Sequence, residues 1–353
     1  MAGASRIKAI NAWRGIFALV IVLFHSKVHL MDQAVSLGVS FFFVGSGFLL
    51  TVRHHGQQLT TPAAWWRFWW QRARLIYPIH WLALLLISWF FIVPEHKPLA
   101  PAEFFTQFAL VHCWFPTKNF YFGYNGVSWF LGALLFCYAC FPLINRYFSS
   151  LRLRWQLLAM ILIIAALWWW LPLLTGQQRT FTYVCPAIRL GDFLMGVTAG
   201  NLYLICRSNR LTYSKTKATM IELATIGIAL EVLAINRNTL LLNTWDHYLL
   251  WWLPATFIVF TAAMLDRHEG WPGQLLCARP LQWLGDISME VYILQNLAAL
   301  IVNYYVAPLF GHFGIMIYDK NVWFQVPLLL LMAWGTRRYF TVPVARWIKR
   351  QHL

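Results

Sequence analysis

Ten runs of almost unbroken apolar side chains, each close to twenty residues, recur along the chain at about 12–31, 35–52, 75–93, 126–145, 155–174, 183–205, 218–235, 247–265, 283–304 and 321–336. Roughly 20 apolar residues in a helix cross the hydrocarbon core of a bilayer. The strands of a membrane barrel would instead alternate over about ten residues. The pattern therefore predicts an all-α, polytopic membrane protein of about ten transmembrane helices. Two polar stretches between the runs are long. The segment 53–74 reads RHHGQQLTTPAAWWRFWWQRAR, where Thr61 and Pro62 mark a helix start. The tryptophans after them suit a helix lying among the headgroups. The segment 94–125 begins PEHKPLAPAEFF and ends NFYFGYNG. Its proline, glycine and aromatic content predicts a loop folded over the membrane surface, and long ordered loops often carry function. A single transmembrane domain over 1–353 is expected, with no appended soluble domain. The first run lacks a small-residue cleavage site and reads as a retained span.

Composition agrees: 60% of residues are hydrophobic and 11% charged, against about 25% charged in soluble domains. A net charge of +16 would suggest nucleic acid in a soluble protein. With the spans above and a cytoplasmic N-terminus, 21 of the 28 Lys and Arg fall on the inner side and six on the outer, with Arg189 inside a span. That asymmetry is the positive-inside pattern of an even number of spans with both termini cytoplasmic. The basic charge thus reports orientation, and nucleic acid is not an expected partner. The six cysteines show no metal spacing and imply no disulfide framework.

The first span carries RGIFALVIVLFH, residues 14 to 25. Arg14 and His25 are eleven residues apart, hence on one helix face but roughly 16 Å apart along it. Ionisable groups within a membrane are functional candidates because burying them is costly. The plainer reading has His25 in an interhelical hydrogen bond and Arg14 reaching the headgroups. His25, His29 and Asp32 also fall on one face as part of a metal site, but no second cluster completes it and no metal is expected. In FFFVGSGFLL, 41–50, Gly45 and Gly47 read as helix-packing residues and Ser46 as a candidate cavity group. WWQRARLIYPIHW, 69–81, sets Arg72, Arg74 and Tyr77 at the mouth of the third span. The arginines suit either anionic lipid or bidentate phosphate recognition. Asn125, Ser128 and Trp129 open the fourth span; Arg189 and Asp192 are an ion pair within the sixth. Glu290, Tyr292 and Gln295 lie in the ninth.

Together these segments resemble the acyltransferase-3 family of integral membrane O-acyltransferases, over essentially the whole chain. Arg14 and His25 match its arginine, ten residues, histidine signature. GSGFLL is similar to its second-span motif, RARLIYP to its third-span entrance, SWFLGALLFCYACFP to its fourth-span pattern and LGDISMEVYIL to its ninth. Leu134 stands where a glutamate is common and Gln295 where a histidine often closes the ninth-span motif, which leaves His25 as the main proton-handling group.

The resemblance implies a bacterial inner-membrane enzyme. It would transfer an acyl group, usually acetyl, from cytoplasmic acetyl-CoA to a hydroxyl of an extracytoplasmic or lipid-linked glycan such as O antigen, capsule or exopolysaccharide. His25 would be the general base, with Arg14, nearer the inner surface, as the second catalytic candidate. Arg72, Arg74 and Tyr77 would face the donor. Ser46, Asn125, Ser128, Trp129, Tyr292 and Gln295 are candidate contacts to acceptor or oxyanion. The rival from another class is a transporter or exporter of a lipid-linked glycan. Transporters are usually built of two repeated halves with interrupted helices, and no such internal echo is seen.

Overall fold

The apolar runs become helices, and no strand occurs among the described residues, which are 7–28, 34–57, 59–208, 213–238, 249–266, 270–312 and 321–350 of a computed structural model. In chain order these are α1 (Lys8–His25), α2 (Ala34–Arg53), α3 (Pro62–Ile92), α4 (Pro101–Phe108), α5 (Lys118–Tyr121) and α6 (Trp129–Leu143). Next come α7 (Leu153–Trp170), α8 (Gly176–Val184), α9 (Pro186–Ser208), α10 (Lys215–Asn238) and α11 (Trp252–Met264). The last are α12 (Trp271–Leu276), α13 (Arg279–Asp286), α14 (Ser288–Ile301), α15 (Ala307–Gly311), α16 (Val322–Thr336) and α17 (Val342–Arg350). His29 and Asp32 lie outside the described residues.

Among the described residues, six helical segments are long and apolar enough to cross a membrane: Lys8–His25, Ala34–Arg53, Pro62–Ile92, Gly126–Phe148, Leu153–Leu173 and Ser288–Gly311. The other four expected spans coincide with helices that fall short on one count. α9 and α10 are long but carry charges such as Arg189, Asp192, Glu222 and Glu231, α11 is short, and α16 runs on into α17 through a turn that carries Arg337 and Arg338.

The expected headgroup helix and third span are not separate. They form one 31-residue helix, α3, about 46 Å long and so longer than the hydrocarbon is thick. Thr61 caps it, its side chain accepting from the Ala64 N–H at 3.2 Å, with Pro62 at the first position. Pro78 lies inside α3 without ending it; neighbouring helices in a membrane bundle satisfy the backbone groups a proline frees.

The most extensive pairing is α2 on α9, and small residues make it close. A Cβ at Gly47 would strike Phe193 O, and one at Gly196 would strike Val44 O. Gly45 differs: the nearest atom to a Cβ there is Val259 Cγ2 at 3.9 Å. Within the Gly-Ser-Gly triplet, then, Gly47 serves packing while Gly45 keeps space. α7 turns Ile161, Leu162 and Trp169 outward, an apolar exposure rarely tolerated in water and suited to lipid tails. The segment 94–125 folds back as α4, a short 3₁₀ turn at 112–114 and α5, with His112, Cys113 and Tyr121 buried.

Candidate active site

A cavity of about 370 Å³ lies between α1, α2, α3, α6 and the start of α14. On α2 its wall runs from Arg53 through Leu50, Leu49, Ser46, Gly45 and Phe42 to Phe41. That is twelve helical rises, or ~18 Å of depth. Arg53 on α2 and Arg72 on α3 stand at one end, and α1 supplies Arg14 from the side. Much of the remaining wall is apolar: Leu75, Ile76, Leu131, Leu134 and Phe130.

Arg72 is held by its surroundings. Its guanidinium carbon lies 5.2 Å from the Phe68 ring centroid and 5.8 Å from that of Tyr138, a cavity residue. Such ring faces attract and orient a guanidinium. Its Nε is buried without a hydrogen-bond partner among the described residues. The positive field is felt next door at His54, just past α2. Burial, and then the neighbouring Arg72 and Arg53, push that imidazole below its usual pKa against the opposing bond to Leu50 O. The buried Glu290 carboxylate lies 3.6 Å from Arg337 Nη1 and within electrostatic reach of Arg14.

The far end of the cavity is closed by aromatic rings. Phe130 packs on Tyr292 at 5.2 Å and on Phe42 at 5.8 Å, and Phe41 packs on Phe17 of α1 at 4.8 Å. Phe17 precedes His25 by eight residues, so His25 lies ~12 Å farther along the axis. On the face that Arg14 shares with His25, Ala18 and Ile21 are buried in the core between them. His25 itself is half-buried at the end of α1, its Nδ1 2.8 Å from Ile21 O. A carbonyl oxygen only accepts, so Nδ1 carries the proton there and the lone pair of the neutral ring is on Nε2. Beside it, Ser26 Oγ is 3.0 Å from Gln325 Oε1, and Gln325 Nε2 donates to Gln295 O at 3.3 Å. Gln295 thus belongs to the His25 end.

A buried polar network ties the 94–125 segment to the helices. Gln107 Nε2 donates to Ser128 Oγ at 2.9 Å and Asn125 O at 3.0 Å, and Gln107 Oε1 accepts from the Asn125 N–H at 3.2 Å. Ser128 Oγ is 3.2 Å from His112 Nε2, and His80 Nε2 donates to Gln107 O at 2.8 Å. Asn125 Nδ2 donates to Ile293 O and its Oδ1 accepts from Asn296, both at 3.1 Å. His112 is fully buried, and that burial, then the adjacent His80, push its pKa down to about 3. Nearby, Arg189 and Asp192 form a fully buried ion pair at 3.2 Å, as their spacing predicts, with Trp129 and Tyr183 rings over the guanidinium at 5.5 and 4.4 Å.

A family model described as an acyltransferase domain, that of the acyltransferase-3 family, matches residues 7–336, nearly the whole chain. The chain belongs to the acyltransferase-3 family. With its apolar helices, it is a multi-pass membrane acyltransferase. No curated protein and no solved structure matches it significantly.

Of the residues that sequence picked out, this acyltransferase brings Arg14, Ser46, Arg72 and Tyr292 onto one cavity wall. His25, Arg74, Tyr77, Asn125, Ser128, Trp129 and Gln295 are not part of that wall. Tyr77 turns toward the folded segment, its hydroxyl donating to Ala109 O at 3.1 Å, and Arg74 is half-buried on the same helix. Tyr292 donates its hydroxyl to Val127 O at 2.9 Å. Sequence reasoning passed over three polar lining residues of the acyltransferase: Arg53, Tyr138 and Ser288. Each stood inside or beside a quoted motif, and Arg53, as the cation ending the second span, carried the clearest signal.

Proposed function

We propose that this enzyme transfers an acyl group, acetyl in the simplest case, from acyl-CoA on the cytoplasmic side of a bacterial inner membrane to a hydroxyl of an extracytoplasmic or lipid-linked glycan. The observation that carries this reading is the convergence of Arg14, Arg53 and Arg72, from three helices, on a cavity ~18 Å deep with apolar walls. Guanidinium groups grip phosphate oxygens bidentately, and a cavity with apolar walls beyond them suits the long arm of coenzyme A. The volume falls within the range of about 300–1,000 Å³ usual for ligand sites. The positive-inside count assigns the Arg53–Arg72 end to the cytoplasm, together with both termini.

His25 stands toward the opposite side, where a glycan hydroxyl would arrive. Its Nε2 lone pair takes the proton as the hydroxyl oxygen attacks the thioester carbonyl carbon. The new C–O bond replaces the C–S bond, and the leaving thiolate recovers the proton. For donor and base to meet, the rings of Phe41, Phe42 and Phe130 must part. Family membership favours this reading over glycan export.

The test is transfer of labelled acetyl from acetyl-CoA to glycan in inverted membrane vesicles containing the protein. Label is expected in the glycan, and loss of the gene should remove an acetyl-sized mass from surface glycans. Failure of acetyl-CoA to label any acceptor, with well-folded protein present, contradicts the donor assignment.

A further inference from the structure

The cavity wall holds a hydroxyl that does nothing for the fold. Ser288 lines the cavity, is only 1% exposed, and its Oγ has no hydrogen-bond partner among the described residues. A hydroxyl buried in this way costs stability unless something arrives to pair with it. Ser288 is also the first residue of α14, a fourteen-residue helix whose preceding residue, Ile287, makes no side-chain cap. A helix start presents backbone N–H groups and partial positive charge, and Arg14 lines the same cavity. The unpaired hydroxyl and the helix start therefore favour an acceptor oxygen at this point, in a cavity that Arg14 makes more positive.

The position narrows the choice of acceptor. Tyr292, at the closed aromatic end, is one helical turn beyond Ser288, ~6 Å, whereas Arg53 and Arg72 stand at the opposite end. We propose that Ser288 is a donor-binding residue, its hydroxyl donating to a carbonyl oxygen on the pantetheine arm or thioester of acyl-CoA. This rests on the reading of the cavity as the acyl-CoA site. No bond is made or broken in the step; it fixes the depth to which the arm enters.

The purified full-length protein in detergent provides the test, with melting temperature measured without ligand and affinity measured for two probes. Coenzyme A has phosphates and arm; adenosine 3′,5′-bisphosphate lacks the arm. Ser288→Ala is expected to melt no lower than wild type, since it removes an unpaired buried hydroxyl, yet to bind coenzyme A about tenfold more weakly. Its affinity for the bisphosphate should be unchanged, and Ser288→Thr, which keeps the hydroxyl, should retain most of the coenzyme A affinity. A lower melting temperature for Ser288→Ala would show a structural hydroxyl and overturn the proposal. Equal coenzyme A affinity, or equal losses for both probes, would overturn it too. Absence of coenzyme A binding to the wild type would instead sink the donor reading on which it stands.

Discussion

At the residue scale, Arg14 and His25 share a face of α1 but serve different ends of the molecule, one on the cavity wall and the other ~12 Å past the aromatic closure. His25→Ala should abolish acyl transfer while leaving folded protein in the membrane; transfer at the wild-type rate, with matched protein levels, would refute its catalytic role. Arg72 is flanked by Phe68 and Tyr138, so Arg72→Lys loses both the planar stacking and the bidentate grip. We expect the KM for acetyl-CoA to rise about tenfold with kcat little changed, the pattern of lost uniform binding; an unaltered KM in steady-state assays counts against a phosphate role. The pairing of Arg189 with Asp192 was legible because a three-residue spacing on a helix brings side chains together whatever surrounds it. The cavity roles of Arg53 and Ser288 were not, because which face of a helix meets a void depends on how its neighbours pack.

At the scale of elements, the two glycines of the second span make opposite predictions. Gly47→Ala forces a methyl into the backbone of α9 at Phe193, and overpacking of that kind costs about 1–3 kcal/mol. Gly45→Ala meets only an ordinary van der Waals contact with Val259 and should melt like the wild type. A thermal melt of both variants in detergent checks this, and similar losses would contradict the division of labour. The folded segment 94–125 carries a pH dependence of its own. His112 is held neutral in the fold with a pKa of about 3, whereas in the unfolded chain it titrates near the ordinary value of about 6.5. Its contribution is intact above pH ~6.5 and is lost as pH falls toward 3, because only the unfolded chain takes up the proton, ~2 kcal/mol by pH 5. The fall in melting temperature between pH 7 and pH 5 should shrink in His112→Asn; an undiminished fall would place the effect elsewhere. Sequence showed this segment to be ordered through its prolines and aromatics. The Gln107–Ser128–His112 network was hidden because its partners are up to 21 residues apart.

At the scale of the whole molecule, the apolar runs announced a helical membrane protein, and the order of the motifs announced its family. What the runs blurred were boundaries: α3 absorbs a segment that looked interfacial, since its tryptophans and arginines are compatible with either a buried or a headgroup setting. α9 shows the converse, a helix whose charges lower its apolarity while the Arg189–Asp192 pair is wholly buried. In the proposed mechanism a donor enters among arginines on one side and reaches an imidazole nearer the other. A structure of the full-length protein with acetyl-CoA bound, determined by electron cryo-microscopy, tests this most directly. Phosphate density is expected at Arg53 and Arg72, with the arm running past Ser288 and the rings of Phe41, Phe42 and Phe130 displaced toward an opening on His25. Donor density outside this cavity, or an arm ending against an undisturbed aromatic closure, would contradict it.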